Sequence, residues 1–318
     1  MSQIDILMAT YNGASFVAEQ IESIFYQDYA NIHLIIRDDG STDGTREILQ
    51  SFEKKNPSRI TLLPFEQRPE CSLGVNGNFS RLMDIATANY IMFADQDDIW
   101  HKEKVSNTFQ KMMEMEAAFS ANAPLLIHTD LTVVDSNLKE IAPSFWKYIN
   151  VNPTCERTLN RLLAQPVVTG CTVMVNRALL NQAFPVPQHC VMYDFWLALV
   201  AAAFGQIGVI EKATMLYRQH NKNVVGAKKF WSLCHWKKQL NNLKTSETKK
   251  FEQGKELLKR YGDSLGHEQL ETLRAYLSLP KASFITRGYI IFKYHLFRSG
   301  ILRTVISIFS PKLKEISS

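Results

Sequence analysis

The chain has 318 residues and a mass of 36.4 kDa, room for one large domain or for a domain with an extension. With 46% hydrophobic and 21% charged residues it can bury a sizeable core, and 14 Gly with 11 Pro exclude a collagen-like or low-complexity chain. Charge is divided unevenly: residues 1–211 hold 15 Lys/Arg against 24 Asp/Glu, a net of −9, whereas residues 212–318 hold 21 against 7, a net of +14.

In chain order, Ile4–Ala9 is an apolar run that predicts a strand, and Ser15–Gln27 follows with helical spacing of Phe16, Ile21, Ile24 and Phe25. Ile32–Arg37 predicts a second strand, after which Ser41 is placed to N-cap a helix through Phe52. Strands are expected at Ile60–Leu63, Tyr90–Ala94, Leu125–Val134 and Thr169–Val175, with helices at Asn78–Ala86 and Lys102–Phe119. A helix over Phe195–Phe204 precedes two further strands, Gln206–Ile210 and Ala213–Tyr217. This alternation predicts an α/β fold: a mainly parallel central sheet with helices on both faces. Beyond about Val225, Lys-rich helical patterns take over. The expected division is therefore residues 1–225 as an α/β body and 226–318 as a basic α-helical extension.

The chemistry gathers where predicted strands end. Asp38-Asp39-Gly40-Ser41-Thr42-Asp43 follows the second strand, at the carboxyl edge where open parallel sheets bind ligands. Two carboxylates there can accept from a ribose hydroxyl or a base N–H; equally, Ser41 and Asp43 can simply cap the next helix. Asp95-Gln96-Asp97-Asp98 closes the strand Tyr90–Ala94. Three carboxylates so close repel one another, and a hard divalent cation such as Mg²⁺ or Mn²⁺ removes that cost. Met192-Tyr193-Asp194-Phe195-Trp196 opens an apolar helix with one carboxylate, fit for dipole capping or for a general base in a desolvated pocket. His220, after the last predicted strand, is a candidate metal ligand or phosphate donor. Tyr11 closes the first strand, where it could lie against a planar base. Gly74-Val75-Asn76-Gly77-Asn78 is only half of a dinucleotide fingerprint.

ILMATYNG, IIRDDGSTDGT, YIMFADQDDIW and MYDFW, in this order, resemble family 2 glycosyltransferases of the GT-A fold over roughly residues 3–225, and within that family the bacterial surface-polysaccharide transferases, including rhamnosyltransferases. The resemblance implies that Ala9 and Tyr11 line a nucleotide base, with Asp39 accepting from its ring N–H and Asp38 nearby. It makes Asp95-Gln96-Asp97 the DxD motif, with Asp97 the direct metal ligand, Asp95 near the ribose or metal waters, and His220 an additional ligand. Asp98, Trp100 and Trp196 are expected toward the donor sugar and acceptor, and Asp194 aligns with the catalytic base. The implied reaction is inverting transfer from a UDP- or dTDP-sugar to a saccharide or lipid-linked hydroxyl, assisted by Mn²⁺ or Mg²⁺. A nucleotidyltransferase and a silent sugar-nucleotide-binding scaffold are the alternatives. The former expects a basic phosphate loop near the N-terminus, and Thr10–Ser15 has no Lys or Arg.

In the basic third, Lys228, Lys229, Lys237, Lys238, Lys244, Lys249 and Lys250 interleave with Phe230, Trp231, Trp236, Leu240 and Leu243. Farther on, Phe284, Tyr289, Phe292, Phe297, Ile301 and Leu302 alternate with Arg287, Lys293, Arg298 and Arg303. Such helices suit an anionic membrane surface or a subdomain packed on the catalytic body. No nucleic-acid reader motif is present, so a nucleic-acid partner is not expected. Five scattered cysteines without a zinc spacing, an N-terminus unlike a signal peptide, and charges breaking the apolar stretch 288–309 predict a cytoplasmic protein, and the lipid-linked acceptor that the resemblance implies places it peripherally on the inner face of the cell membrane.

Overall fold

The structure, a computed structural model, describes residues 1–65, 72–188, 190–220 and 236–309, with side chains omitted for 236–246. Its centre is a nine-stranded sheet. The strands are β1 (Ile4–Thr10), β2 (Ile32–Asp38), β3 (Ile60–Leu62), β4 (Tyr90–Ala94), β5 (Ile99–Trp100), β6 (Leu125–Val134), β7 (Glu140–Ala142), β8 (Met174–Asn176) and β9 (Gln206–Arg218). They run in the order β3-β2-β1-β4-β8-β6-β9-β5, with β7 against β6. Pairing is parallel from β3 through β4 and again between β6 and β9. It is antiparallel where β8 enters and at β5 and β7. The expected α/β architecture is present, but the sheet is mixed: four strand pairings are parallel and four antiparallel.

β1, β2 and β4 are almost wholly buried and mostly apolar, because both of their faces are covered. α1 (Val17–Phe25), α2 (Thr45–Lys55) and α4 (Lys104–Phe119) help build one core, which holds Ile4, Ile6, Ile21, Leu34 and Met112. α3 (Gly74–Ile85) and α8 (Tyr193–Phe204) help build the other, with Leu7, Phe79, Phe93 and Trp196. Three short helices, α5 (Phe145–Tyr148), α6 (Leu159–Ala164) and α7 (Arg177–Ala183), lie in stretches too brief to show helical periodicity.

Two expectations are corrected. The strands at 206–210 and 213–217 are one strand. The exposed Glu211 and Lys212 that broke its apolar pattern lie where pairing with β6 shifts register, not in a turn. The strand expected at 169–175 is a 3₁₀ turn at Gly170–Thr172 leading into the short β8.

The C-terminal helices are α9 (Trp236–Tyr261), α10 (His267–Ser278), α11 (Phe284–Lys293) and α12 (Ile301–Phe309). Leu257, Leu273, Tyr276 and Ile291 from them join the core that contains Leu162 and Trp196, so one core runs across the expected boundary near residue 225. Part of the positive charge there is structural. Lys250 is buried against Glu247, Arg298 grips both Glu247 oxygens at 2.9 Å, and Arg287 is buried. Lys228, Lys229, Phe230 and Trp231 lie outside the described residues, as do the side chains of Trp236, Lys237, Lys238, Leu240, Leu243 and Lys244. Among the described residues no helix is long and apolar enough to cross a membrane.

Candidate active site

The carboxyl ends of β1 and β2 interlock through the loops that follow them. Asn12 N–H donates to Ser41 Oγ at 2.8 Å, Gly13 N–H to Thr45 Oγ1 at 2.9 Å, and Thr42 N–H to Asn12 Oδ1 at 2.8 Å. Ser41 therefore ties two loops together, and Gly44 in a left-handed conformation, φ 89°, stands at the N-cap of α2 instead. From β4, Gln96 pairs with the backbone of Tyr11 as a strand would, accepting from its N–H and donating to its carbonyl, both at 2.9 Å. A Cβ on Gly13 would stand 2.2 Å from Gln96 Oε1, so only glycine permits this approach. Tyr11 itself remains exposed at the rim.

The acidic turn after β4 lies beside the end of β9. Asp97 Oδ2 is 2.8 Å from His220 Nε2, and the His220 ring stacks on Phe16 at 4.7 Å. Arg218 secures the turn from behind: its Nε donates to Asp97 O at 2.9 Å, its backbone N–H reaches Asp98 Oδ1 at 3.3 Å, and its guanidinium covers the Phe16 ring. Burial raises the Asp97 carboxyl above its usual range, against the pull of His220 and Arg218. Burial also pushes Asp95 up to about 7, and the charges of Asp97 and Asp194 add to this.

Asp194 opens α8 and is buried. The burial raises its carboxyl to about 6, while N–H groups of Phe195 (2.7 Å) and Gly170 oppose the shift. Its helix is held from α3: Asn76 Oδ1 accepts from Tyr193 N–H at 2.9 Å, and Asn76 Nδ2 donates to Cys190 O at 3.2 Å. The segment that looked like half a dinucleotide fingerprint is thus the first turn of a helix that positions Asp194. Gly170 is required here too, because a Cβ would stand 2.1 Å from Tyr193 Oη.

Carboxyls at the ends of β4 and at the start of α8, each raised by burial and sensing one another, make a site suited to a cation and a proton acceptor. A family model, glycosyl transferase family 2, matches residues 5–184. The chain belongs to that family.

One relative, the dTDP-rhamnosyl transferase RfbG of Shigella flexneri, is 32% identical over 232 residues, covering 69% of this chain and 74% of its own. TuaG of Bacillus subtilis, a putative teichuronic acid biosynthesis glycosyltransferase, is 28% identical over 235 residues, covering 72% and 85%. Among solved structures, S. aureus TarS 1–349 in complex with UDP-GlcNAc superposes with a TM-score of 0.55 at 16% identity, covering 92% of this chain and 89% of its own. The mannosyltransferase PcManGT of Pyrobaculum calidifontis, in complex with GDP-Man and Mn²⁺, gives 0.55 at 16% identity over 92% and 73%. These two likenesses concern the fold, which is that of GT-A transferases.

Within this family 2 chain Asp97 offers a carboxylate oxygen, a donor that suits Mg²⁺ or Mn²⁺, and His220 an imidazole nitrogen, a softer donor that a transition ion such as Mn²⁺ accepts more readily than Mg²⁺. Neighbouring ligand atoms around Mg²⁺ or Mn²⁺ sit about 3 Å apart, close to the separation of Asp97 Oδ2 and His220 Nε2. A second grouping, Asp95, Asp98 and Cys171, has ligand atoms within 4.8 Å of one another, but a thiol raised well above its usual range by burial is a poor partner for such ions.

Of the other expected site residues, several are buried or already hydrogen-bonded within the chain. Trp196 is wholly buried, donating to Ala183 O at 2.8 Å and stacking near Tyr261, so it faces neither sugar nor acceptor. Trp100 is buried in the opposite core with Lys104 Nζ 4.9 Å from its ring. Asp98 is wholly buried beneath the turn, with Oδ2 lacking a hydrogen-bond partner. Asp38 is committed to loop geometry, accepting from Thr10 Oγ1, Ser41 N–H, Gly40 N–H and Arg46. Asp39 accepts from Arg37, Ser72 Oγ and the N–H groups of Leu73 and Gly74 at 2.8–2.9 Å. Burial pushes the Asp39 carboxyl up, but these donors outweigh it and hold the group below its usual range. Ala9 is partly buried near the end of β1.

Sequence reasoning missed Gln96, Arg218 and Gly170 as determinants of the site. Only Gln96 carried a signal, as the polar residue between the two acids of the DxD pattern.

Proposed function

We propose that the chain transfers a sugar, with inversion, from a UDP- or dTDP-sugar to a hydroxyl of a saccharide or lipid-linked acceptor in bacterial polysaccharide synthesis. The observation that carries this is Asp194, a buried carboxyl raised to about 6 at the mouth of the acidic turn. A base near working pH both accepts a proton readily and is ionised enough to do so. In the step, the acceptor oxygen forms a bond to the anomeric carbon, the bond from that carbon to the diphosphate oxygen breaks, and the hydroxyl proton passes to Asp194. General-base assistance of this kind contributes about 10²–10⁴-fold. Asp97 and His220 would hold the divalent ion, and Asp95 would face the ribose or the ion's waters. When bound, that ion supplies neutralising charge for the departing diphosphate. Tyr11, exposed at the rim, offers its ring to the nucleotide base. The action is assigned to the cytoplasmic face of the membrane, where a lipid-linked acceptor would lie.

The relatives' names support a donor of the nucleoside-diphosphate class. Melting temperature measured with UDP, dTDP and GDP, each with and without Mn²⁺, tests the reading, because a ligand of the folded state raises it by mass action. A shift with UDP or dTDP that needs the metal is expected. No shift with any of them would remove the proposal, and full turnover by Asp97→Ala would remove the site.

A further inference from the structure

α11 and α12 lie side by side, and each presents an apolar face to solvent. On α11 the exposed side chains are Phe284, Ile285, Tyr289 and Phe292. At 100° per residue they span an arc of about 140°. On α12 they are Ile301, Leu302, Val305, Ile306 and Phe309, with Ile301 86% exposed. The two faces are continuous, since the Phe284 and Phe309 rings stack at 6.3 Å and 18°.

The inner side of this hairpin is fixed to the body by polar contacts. Arg287 donates to Leu279 O and Ile308 O at 3.2 Å, Asn160 Nδ2 to His295 O at 3.1 Å, and Ser299 Oγ to Glu156 at 2.8 Å. The outer face is thus turned outward, since the contacts to Leu279, Asn160 and Glu156 use none of its apolar side chains. Soluble proteins rarely expose an apolar surface of this extent without a partner.

Charge identifies the partner. Residues 272–314 contain eight Lys/Arg and no Asp/Glu. Arg287, Arg298 and Arg303 are used inward, whereas Lys293 is exposed with its Nζ 5.9 Å from the Tyr289 ring of the apolar face, and Arg274 is exposed on the preceding helix α10. Two copies meeting through such surfaces would bring like charges together. An anionic lipid surface accepts both the apolar face and the basic rim. α11 has 10 residues and is about 15 Å long, half the thickness of a bilayer's hydrocarbon, so it can lie on a membrane but not span it.

We propose that the α11–α12 hairpin is a membrane-docking element that seats the chain on an anionic phospholipid surface, with Ile285, Phe292, Ile301 and Phe309 entering the interface. The idea gives a physical seat to the proposed action at a membrane face and rests on that reading for its purpose. Full-length protein is sedimented with phosphatidylcholine vesicles, with and without roughly 30 mol% phosphatidylglycerol. Binding is expected only to the anionic vesicles and should weaken with salt. Ile285→Ser with Ile301→Ser should lower partitioning at least about 10-fold, and Lys293→Glu should lower it less. These side chains are exposed, so an unchanged melting temperature checks the fold.

Equal binding by the Ile285→Ser, Ile301→Ser protein overturns the assignment. So does a vesicle-independent dimer that these substitutions dissolve. Transfer to a soluble acceptor, measured in parallel, separates the two proposals: lost vesicle binding with intact transfer is the expected phenotype of the variant. Absent transfer by wild type that still binds vesicles would count against the catalytic reading alone.

Discussion

Replacing Asp194 with asparagine should weaken catalysis and strengthen the fold at the same time. In the folded chain Asp194 holds its proton up to about pH 6, against an ordinary value of 3.8. Keeping it ionised above pH 6 costs the fold about 3 kcal/mol. Because the folded state binds more protons than the unfolded state between those values, this cost appears as pH rises from about 4 to about 6 and is full beyond. Asparagine can retain the 2.7 Å bond from Phe195 N–H, but its amide cannot accept from Gly170 at the other position, a loss of about 1 kcal/mol. The net gain at pH 8 is therefore about 2 kcal/mol. With about 2.1 cal/mol/K of unfolding entropy per residue over 318 residues, that is about 3 °C in melting temperature. Calorimetry of both proteins at pH 4 and pH 8, with turnover measured alongside, is the assay. The stability gap should open with pH while turnover falls about 10²–10⁴-fold. A variant no more stable than wild type at pH 8 would refute the burial argument, and one with undiminished turnover would refute the role of base.

Other substitutions probe separate parts of the molecule. Turnover by the wild type should rise with pH through about 6, as Asp194 loses its proton; a rate independent of pH from 5 to 8 would contradict this. His220→Ala should reduce metal-supported nucleotide binding about 10–100-fold in calorimetric titrations with Mn²⁺ and change metal-free binding little. Gly13→Ala drives Gln96 off the Tyr11 backbone, so chemical denaturation should show a loss of about 1–2 kcal/mol. His128 is buried against Trp146 with neither ring nitrogen hydrogen-bonded, and burial lowers it to about 4. The unfolded chain takes up that proton from pH 6.5 downward, so this residue by itself removes about 3 kcal/mol between pH 6.5 and pH 4, against the opposite contribution of Asp194, and His128→Leu should gain about 3 kcal/mol relative to wild type as pH falls across that range.

Much of the fold and part of the site could be read from the chain alone. Apolar runs such as Ile32–Arg37 and Tyr90–Ala94 mark strands covered on both faces, because their hydrophobicity has no polar side to alternate with. The acids that close those strands mark the ligand edge, since strand ends are where an open sheet leaves room. Asp95, Asp97, Asp194 and His220 do meet there. What local sequence does not contain is which acids stay open. Asp38 and Asp39 read like Asp95 and Asp97, yet the former are filled by the N–H groups, hydroxyls and arginines of Gly40, Ser41, Arg46 and the start of α3. Trp100 and Trp196 sit beside site acids in sequence, but each lies within a regular element whose geometry turns that side chain into a core. Gln96 and Gly170 matter only through chain segments 85 residues away or behind Tyr193, contacts that exist once the sheet has assembled. The sequence determined the elements, the charge division and the carboxylates at the strand ends. Tertiary packing alone decided which carboxyls are desolvated enough to hold an ion or take a proton, because burial and hydrogen-bond supply are properties of neighbours brought together from distant parts of the chain.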